Sequence, residues 1–229
     1  MGYVLGGGVM VFPCIVQLGC DAFETVNVAE MGDEPYRLDT GVGFRFRPND
    51  SSGYTPSRFH LPSDDDVVRA WDALLYDCVV EYCSNFPEVI SNVQWTFAGH
   101  LLSYENSQHI GWHSDTLIAR YPPEQYGQEP ESQFAMHLTL SALLYLNDDY
   151  EGGEIEWKYP SMSYKPQEGS VVIYPSSFMG AHRVLPCDGR RRAYIKFYGH
   201  GYPANHQPDQ LQWLPQLRKD VNARSSSLS

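Results

Sequence analysis

A histidine and an aspartate two residues apart, His113 and Asp115, are the first residues in this chain whose spacing suggests chemistry. On an extended strand, residues i and i+2 point to the same face of the sheet. The imidazole and the carboxylate would therefore converge on one point, where they could hold a divalent metal ion. Because such a pair also arises by chance, it indicates a metal site only together with a further ligand.

A third ligand is available downstream at His182, which follows an apolar segment that reads as a strand and a turn. Two histidines and one carboxylate form the facial triad of non-haem Fe(II) oxygenases, which leaves coordination positions open. Arg192 lies ten residues later, at the start of the apolar run 193–198. A guanidinium there would suit a cosubstrate with a distal carboxylate, which Arg can bind through two parallel hydrogen bonds.

Together these features resemble the 2-oxoglutarate/Fe(II) dioxygenases, and specifically their prolyl-4-hydroxylase-like branch. The resemblance extends from about residue 95 to residue 198, a little under half of the chain. Its most specific part is the segment 144–154, Leu-Tyr-Leu-Asn-Asp-Asp-Tyr-Glu-Gly-Gly-Glu. This segment resembles that branch's strand and Gly-Gly turn between the second and third iron ligands.

The resemblance implies a role for each of five residues. His113, Asp115 and His182 would bind Fe(II) through two neutral imidazoles and a carboxylate. Arg192 would pair with the distal carboxylate of 2-oxoglutarate, and Tyr104, nine residues before His113, would donate a hydrogen bond to it. The implied cofactor is Fe(II), with 2-oxoglutarate and O2 as cosubstrates and ascorbate as an optional reductant.

Four further residues are candidates for contact with the substrate. Lys196 and Tyr198 share a strand face with the predicted cosubstrate cation, although packing inside a barrel would explain them equally well. Trp112 and Arg120 lie close to the first two ligands in the sequence, and a structural role explains either of them as well. The polar segment 117–135, which contains Arg120, has the length of a lid or a substrate-binding loop.

The function that the resemblance implies is hydroxylation of an unactivated C–H bond in a prolyl residue or a related amino acid or peptide, with release of succinate and CO2. Two alternatives stay open. The same chemistry could act on a small amine or an amino-acid-derived metabolite. A barrel without turnover could instead serve as a metal-binding interaction module, but such loss usually breaks the triad or removes the cation, and all four residues are present here.

The clearest secondary-structure signal is a helix over residues 64–83. Apolar residues recur there at helical spacing and form one continuous stripe from Val67 to Tyr82. Ser63 could cap this helix, and the acidic residues 64–66 suit its first turn, where the helix dipole favours negative charge. Such a helix would brace the outer face of a β-sheet.

Short strands follow residue 93, and they predict a mainly β (α+β) fold. The strands are expected at about 137–146, 154–159, 170–174 and 191–198. Short strands that carry a His-x-Asp…His triad imply a jelly-roll barrel of two facing sheets. In the resembled family this barrel is a double-stranded β-helix with supporting helices on one sheet, and the iron would sit at its mouth.

The chain is expected to form one dioxygenase domain over residues 1–229. Its motif-bearing core would span about 93–200, N-terminal strands and the bracing helix would occupy 1–92, and a C-terminal tail would occupy 203–229. The partner would be a peptide, a protein or a small amino-acid-like substrate.

The composition disfavours several other classes of protein. A net charge of −12 argues against a nucleic-acid-binding surface, which is usually basic. Five Cys residues without a C-x-x-C pair favour a reduced compartment and give no zinc site. No segment is long and apolar enough to span a membrane, and the N-terminal region lacks the basic start of a signal peptide, so a cytoplasmic location is expected.

Overall fold

The structure, a computed structural model, describes residues 1–13, 15, 29–30, 36–37, 43–44, 56–61, 65–96, 99–115, 137–200 and 213–227. Three of the features predicted above lie outside the described residues. They are the segment 117–135, Arg120 within it, and Ser63.

Short strands dominate the described part of the chain, as the sequence predicts. They are β1 (Tyr3–Gly6), β2 (Val9–Phe12), β3 (Ala29–Glu30), β4 (Tyr36–Arg37), β5 (Gly43–Phe44), β6 (Ser57–His60), β7 (Trp95–Thr96), β8 (His100–Tyr104), β9 (Ile110–His113), β10 (His137–Tyr145), β11 (Glu151–Gly152), β12 (Ile155–Trp157), β13 (Met162–Tyr164), β14 (Val171–Pro175), β15 (His182–Val184), β16 (Cys187–Asp188) and β17 (Arg191–His200). The four strands predicted after residue 136 correspond to β10, β12, β14 and β17.

Two antiparallel sheets form the centre of the fold. The large sheet has the strand order β1-β2-β14-β10-β17-β8-β6-β3, with β7 beside β17, and the small sheet has the order β13-β12-β15-β9. The sheets share one core, in which Val172 and Ile195 of the large sheet pack with Ile155 and Val184 of the small sheet. The predicted jelly roll of two facing sheets is therefore confirmed, and it brings residues from distant parts of the chain to one interior.

The other face of the large sheet is covered by helices. Helix α1 (Asp66–Asn85) and helix α2 (Trp213–Ser227) form a second core with this face. In it, Trp71 and Leu75 of α1 pack with Leu217 of α2. The predicted bracing helix is confirmed, and none of the helices in the described ranges combines the length and apolar character needed to cross a membrane.

Helix α1 begins two residues later than predicted because Asp65 is its N-cap. The Asp65 Oδ1 atom accepts hydrogen bonds from the backbone N–H groups of Val67 at 2.8 Å and Val68 at 3.3 Å. These bonds satisfy two of the N–H groups that a helix leaves unpaired at its first turn. Part of the acidic cluster at 64–66 therefore has a structural role, as the cap of the helix.

Candidate functional site

Three side chains that could hold a metal ion converge between the two sheets. His113 ends β9 and His182 begins β15, and the two residues are paired directly across these strands. Asp115 follows β9, and its Oδ1 atom lies 3.5 Å from the Nε2 atom of His113. The possible ligand atoms of all three residues lie within 4.8 Å of one another. The structure thus brings together the three residues that the sequence predicts as ligands, hereafter called the triad.

Both imidazoles of the triad present their Nε2 atoms for coordination. The Nδ1 atom of His113 lies 2.8 Å from the carbonyl oxygen of Gly111, and that of His182 lies 2.9 Å from the carbonyl oxygen of Gly180. A carbonyl oxygen only accepts, so each Nδ1 carries a proton, and Nε2 is the ring nitrogen left to coordinate a metal ion. Burial is the main cause that lowers the pKa of His182 to about 4, so this imidazole is neutral near pH 7.

The carboxylate of Asp115 is oriented by hydroxyl groups. Its Oδ2 atom accepts hydrogen bonds from the Oγ atom of Ser141 at 2.7 Å and from the Oη atom of Tyr174 at 3.0 Å. Burial alone would raise the pKa of Asp115, but His182, His113 and the Ser141 hydroxyl outweigh it and hold the pKa well below its usual range. The triad therefore offers two imidazole nitrogens and one anionic oxygen, a donor set that fits Fe(II).

A buried cation lies in the same interior as the triad, and it is Arg191. This residue is paired directly with Tyr104 across β17 and β8, and its side chain is completely buried. The guanidinium carbon lies 4.6 Å from the ring centre of Tyr104 and 5.1 Å from that of Tyr145. The charge of Arg191 adds to the effect of burial in lowering the pKa of His182, so the cation and the triad are close enough to interact.

Arg191 belongs to a group of buried hydrogen-bond donors that have no hydrogen-bond partner among the described residues. The group, hereafter called the donor cluster, comprises the three guanidinium nitrogens of Arg191, the Oη atoms of Tyr145 and Tyr150, and the Nε1 atom of Trp157. Arg and Trp side chains can only donate, and buried polar groups are normally paired. Burial raises the pKa of both tyrosines, so their hydroxyl groups keep their protons. The donor cluster therefore fits an anionic ligand.

The Gly-Gly turn that carries the family resemblance makes room for Arg191. Gly152 and Gly153 have φ angles of +67° and +68°, which residues with a side chain rarely adopt. A Cβ atom on Gly153 would lie 3.0 Å from the Cδ atom of Arg191, and one on Gly152 would lie 2.4 Å from the carbonyl oxygen of Pro186. The backbone conformation of this turn thus requires glycine at both positions. At position 153, a side chain would also crowd Arg191.

The residue predicted as the cosubstrate cation, Arg192, is not the one beside Tyr104. Arg192 is paired with Ser103, so its side chain leaves β17 on the face opposite to that of Arg191. Lys196 shares that face, where it forms an ion pair with Asp72 of α1. Arg191, one residue before the predicted cation, is thus the arginine on the Tyr104 face; the strand is buried on both sides, so its alternation does not show which face is interior.

Tyr198 and Trp112 also lie away from the triad. Tyr198 is buried in the core between the large sheet and the helices, so packing explains it. Trp112 is 43% exposed, and the guanidinium of Arg183 lies 4.9 Å from its ring centre. Arg183 in turn donates to the Oε2 atom of Glu156 at 2.6 Å. The structure thus gives Trp112 a stacking partner in Arg183, and its contact with a substrate stays a prediction.

Sequence reasoning missed three residues of this site: Arg191, Ser141 and Tyr174. Arg191 shares a strand face with Ala193 and Ile195, but both faces of β17 are buried, so this alternation does not mark the interior face. No sequence signal marks Ser141 or Tyr174, whose importance depends on which strands are neighbours.

A two-histidine, one-carboxylate centre inside a jelly roll, with a buried cation beside it, is the arrangement of a non-haem Fe(II) oxygenase. The sequence profile of the 2OG-Fe(II) oxygenase superfamily matches residues 99–200, a little under half of the chain. Over this part the chain is similar to the 2OG-Fe(II) oxygenase superfamily, and the resemblance stated from the sequence is confirmed. Fe(II) and 2-oxoglutarate, the predicted cofactor and cosubstrate, are those that give the superfamily its name.

Curated relatives of the chain include PKHD-type hydroxylases of bacteria. One from Alteromonas mediterranea is 31% identical over 126 residues, which are 53% of this chain and 52% of the relative. Another from Crocosphaera subtropica is 35% identical over 83 residues, which are 35% of this chain and 32% of the relative. The matched part therefore spans about half or less of the length of these relatives.

Solved structures with a similar fold include several prolyl hydroxylases. One is a viral collagen prolyl hydroxylase from Paramecium bursaria Chlorella virus-1, in complex with 2-oxoglutarate. The structural match covers 82% of this chain and 94% of the viral chain, with a TM-score of 0.55 and 11% identity. A prolyl-4-hydroxylase of Pseudomonas putida covers 85% and 94%, with a TM-score of 0.52 and 14% identity. A prolyl hydroxylase from Trichoplax adhaerens covers 84% of both chains, with a TM-score of 0.54 and 13% identity. At these identities the likeness shows the fold alone.

Proposed function

We propose that this chain is an Fe(II)- and 2-oxoglutarate-dependent dioxygenase that hydroxylates an unactivated C–H bond of a prolyl residue, or of a related amino acid, within a peptide. The observation that carries the proposal is that the triad and the donor cluster line one interior. Trp157 of the donor cluster is paired with His182 across β12 and β15, and its ring centre lies 5.7 Å from that of Tyr174. A metal site that served only to stabilise the fold would need no buried cation next to it.

The donor cluster is proposed to bind the distal carboxylate of 2-oxoglutarate, with Arg191 as its main contact. A buried guanidinium without a counter-charge is costly, and a carboxylate would satisfy it through two parallel hydrogen bonds. Burial raises the pKa of Tyr104 to about 12, so its hydroxyl group is also available as a donor. This assignment replaces Arg192 with Arg191 and keeps the proposed role of Tyr104.

The triad is proposed to hold Fe(II) through the Nε2 atoms of its two histidines and the Oδ1 atom of Asp115. Bound Fe(II) and 2-oxoglutarate would supply the oxidising chemistry, in which one atom of O2 enters succinate as CO2 leaves and the other becomes the hydroxyl oxygen of the product. The three protein ligands leave positions for the cosubstrate and O2. The apolar side chains that the two sheets share, Val172, Ile155 and Val184 among them, exclude water from this interior.

The prolyl substrate is proposed from the relatives of this chain. The curated relatives are PKHD-type hydroxylases, and one solved relative is named as a collagen prolyl hydroxylase. A second solved structure, that of the Trichoplax adhaerens prolyl hydroxylase, is described in complex with a peptide fragment of the hypoxia inducible factor. These names support a peptide that contains proline over a free metabolite.

The substrate proposal is tested by incubation with Fe(II), 2-oxoglutarate, ascorbate and O2, followed by mass spectrometry. We expect proline-containing peptides to gain one oxygen atom and an equal amount of succinate to form. The same peptides with alanine in place of proline should stay unmodified, and Asp115→Ala should be inactive on both sets. Oxygen transfer to small amines but to no peptide would favour the alternative substrate class. Tight Fe(II) and 2-oxoglutarate binding without turnover on any substrate would favour a catalytically silent module.

A further inference from the structure

The carboxylate of the triad is anchored to a different sheet from the two histidines. His113 and His182 belong to strands of the small sheet, whereas Ser141 of β10 and Tyr174 of β14 belong to the large sheet. Ser141 and Tyr174 are paired directly across these two strands, so their side chains lie next to each other on the interior face. The metal centre therefore spans both sheets, and Asp115 is the residue that joins them.

Ser176 extends this contact into a short chain of hydroxyl groups. The Oγ atom of Ser141 lies 2.7 Å from Asp115 Oδ2 and 2.9 Å from the Oγ atom of Ser176. Ser141 has one hydroxyl proton, which the carboxylate takes, so Ser176 must donate to Ser141. Both serines are completely buried. Because the donors are aligned in series and shielded from water, the bond to the carboxylate is strengthened.

The phenol of Tyr174 faces two members of the triad at once. Its Oη atom lies 3.0 Å from the Oδ2 atom of Asp115 and 3.2 Å from the Nε2 atom of His182. When Nε2 binds a metal ion, its lone pair no longer accepts a hydrogen bond. The single phenol proton must then go to Asp115, so Tyr174 and Ser141 both donate to the same carboxylate oxygen.

We propose that Ser141 and Tyr174 are positioning residues that make Asp115 a ligand through one oxygen atom only. Two hydroxyl groups hold Oδ2 on the large sheet, and Oδ1 is left to face the metal together with the Nε2 atoms. Without these donors the carboxylate could rotate and offer both oxygens, which would occupy a position needed by the cosubstrate or O2. This inference rests on the proposed function, because it takes the triad as the Fe(II) site.

The test is the affinity of the metal-free protein for Co(II), followed by visible absorption, in Ser141→Ala and Tyr174→Phe. Loss of a group that hydrogen-bonds to a metal ligand typically weakens metal binding by roughly 10- to 100-fold, and we expect a Kd increase in this range for each variant. Ser141→Thr, which keeps the hydroxyl group, should restore the affinity to within a few fold of wild type.

Matched controls separate a role at the metal from a role in stability. The Oη atom of Tyr194 donates to Asp72 Oδ1 at 2.6 Å on the helix side of the same sheet, so Tyr194→Phe removes a buried phenol–carboxylate bond away from the triad. The Oγ atom of Ser170 donates to the carbonyl oxygen of Gln167 at 2.6 Å, and Ser170 is completely buried. The two control variants, Tyr194→Phe and Ser170→Ala, should unfold at lower denaturant concentrations than wild type. Their Kd for Co(II) should stay at the wild-type value.

The outcomes distinguish this inference from the function on which it rests. If Asp115→Ala loses Co(II) but Ser141→Ala and Tyr174→Phe bind it as tightly as wild type, the positioning role is overturned and the metal site stands. If wild type binds no Co(II), or if Asp115→Ala binds it unchanged, the proposed function itself fails. Should Ser141→Ala not fold, the comparison of Tyr174→Phe with Tyr194→Phe decides the question alone.

Discussion

Replacing Arg191 with methionine is expected to weaken 2-oxoglutarate binding strongly while metal affinity stays within a few fold of wild type. The side chain is completely buried, and all three guanidinium nitrogens lack a hydrogen-bond partner among the described residues. Removing one partner of a buried, hydrogen-bonded charge pair costs about 2–5 kcal/mol. That cost corresponds to a loss of affinity of roughly 30-fold to several thousand-fold. Titration of the Mn(II)-loaded wild-type and variant proteins with 2-oxoglutarate measures this loss of affinity.

Arg192→Met is the matched control for this experiment. Arg192 lies next to Arg191 in the sequence but is paired with Ser103, on the other face of β17. We therefore expect its affinity for 2-oxoglutarate to change by no more than a few fold. A large loss in Arg192→Met with none in Arg191→Met would reverse the assignment and restore the cation predicted from the sequence.

The same pair of variants distinguishes a lost ligand contact from a damaged fold. A buried cation without a counter-charge destabilises a protein, and replacing such a group with an apolar one of similar size is often neutral or stabilising. Metal-free, ligand-free Arg191→Met should therefore unfold at a denaturant concentration no lower than that of wild type. Addition of 2-oxoglutarate to the Mn(II)-loaded proteins should raise the stability of wild type and of Arg192→Met but not that of Arg191→Met.

Replacing His182 with alanine is expected to abolish both Fe(II) binding and turnover. His182 supplies one of the three ligand atoms that converge within 4.8 Å, and it is 3% exposed, so water reaches the vacated position poorly. Anaerobic equilibrium dialysis with Fe(II) measures the loss of the metal, and succinate formation measures the loss of turnover.

His109→Ala is the control for the loss of a histidine near the centre. His109 lies four residues before His113 in the sequence, and its Nδ1 atom contacts the carbonyl oxygen of Ser107 at 3.3 Å. It is not among the residues whose ligand atoms converge in the described part of the chain. Iron binding should survive in His109→Ala; retained iron and turnover in His182→Ala would instead remove His182 from the centre.

The parts of the site that could be predicted from the sequence are those governed by local geometry. The spacing of His113 and Asp115 places them on one side of an extended segment whatever its neighbours are. The apolar stripe of α1 likewise predicts a packed helix without knowledge of its partner. The Gly-Gly turn is recognised through the family resemblance, and the positive φ angles of Gly152 and Gly153 explain why glycine stands at both positions.

The parts that could not be predicted depend on contacts between distant segments. Strand β17 is buried on both faces, against the helices and against the interior, so neither face is polar enough to mark the outside. Lys196 is predicted as a pocket residue only because it shares a strand face with Arg192, and the structure shows that it forms an ion pair with Asp72 of α1. The role of Ser141 follows from its pairing with Tyr174 across two strands and from its hydrogen bond to Asp115. Nothing in the sequence indicates either contact.

The most direct test of the central claim is an anaerobic titration of the metal-free protein with Fe(II) and 2-oxoglutarate, followed by visible absorption. A chelated 2-oxo acid on Fe(II) gives a weak charge-transfer band, which requires the triad and the cosubstrate site to act on the same ion. We predict that the band appears in wild type and in Arg192→Met and is absent from Asp115→Ala and Arg191→Met. A folded wild-type protein that never shows the band, with both ligands in excess, would contradict the assignment of this interior as an Fe(II) and 2-oxoglutarate site.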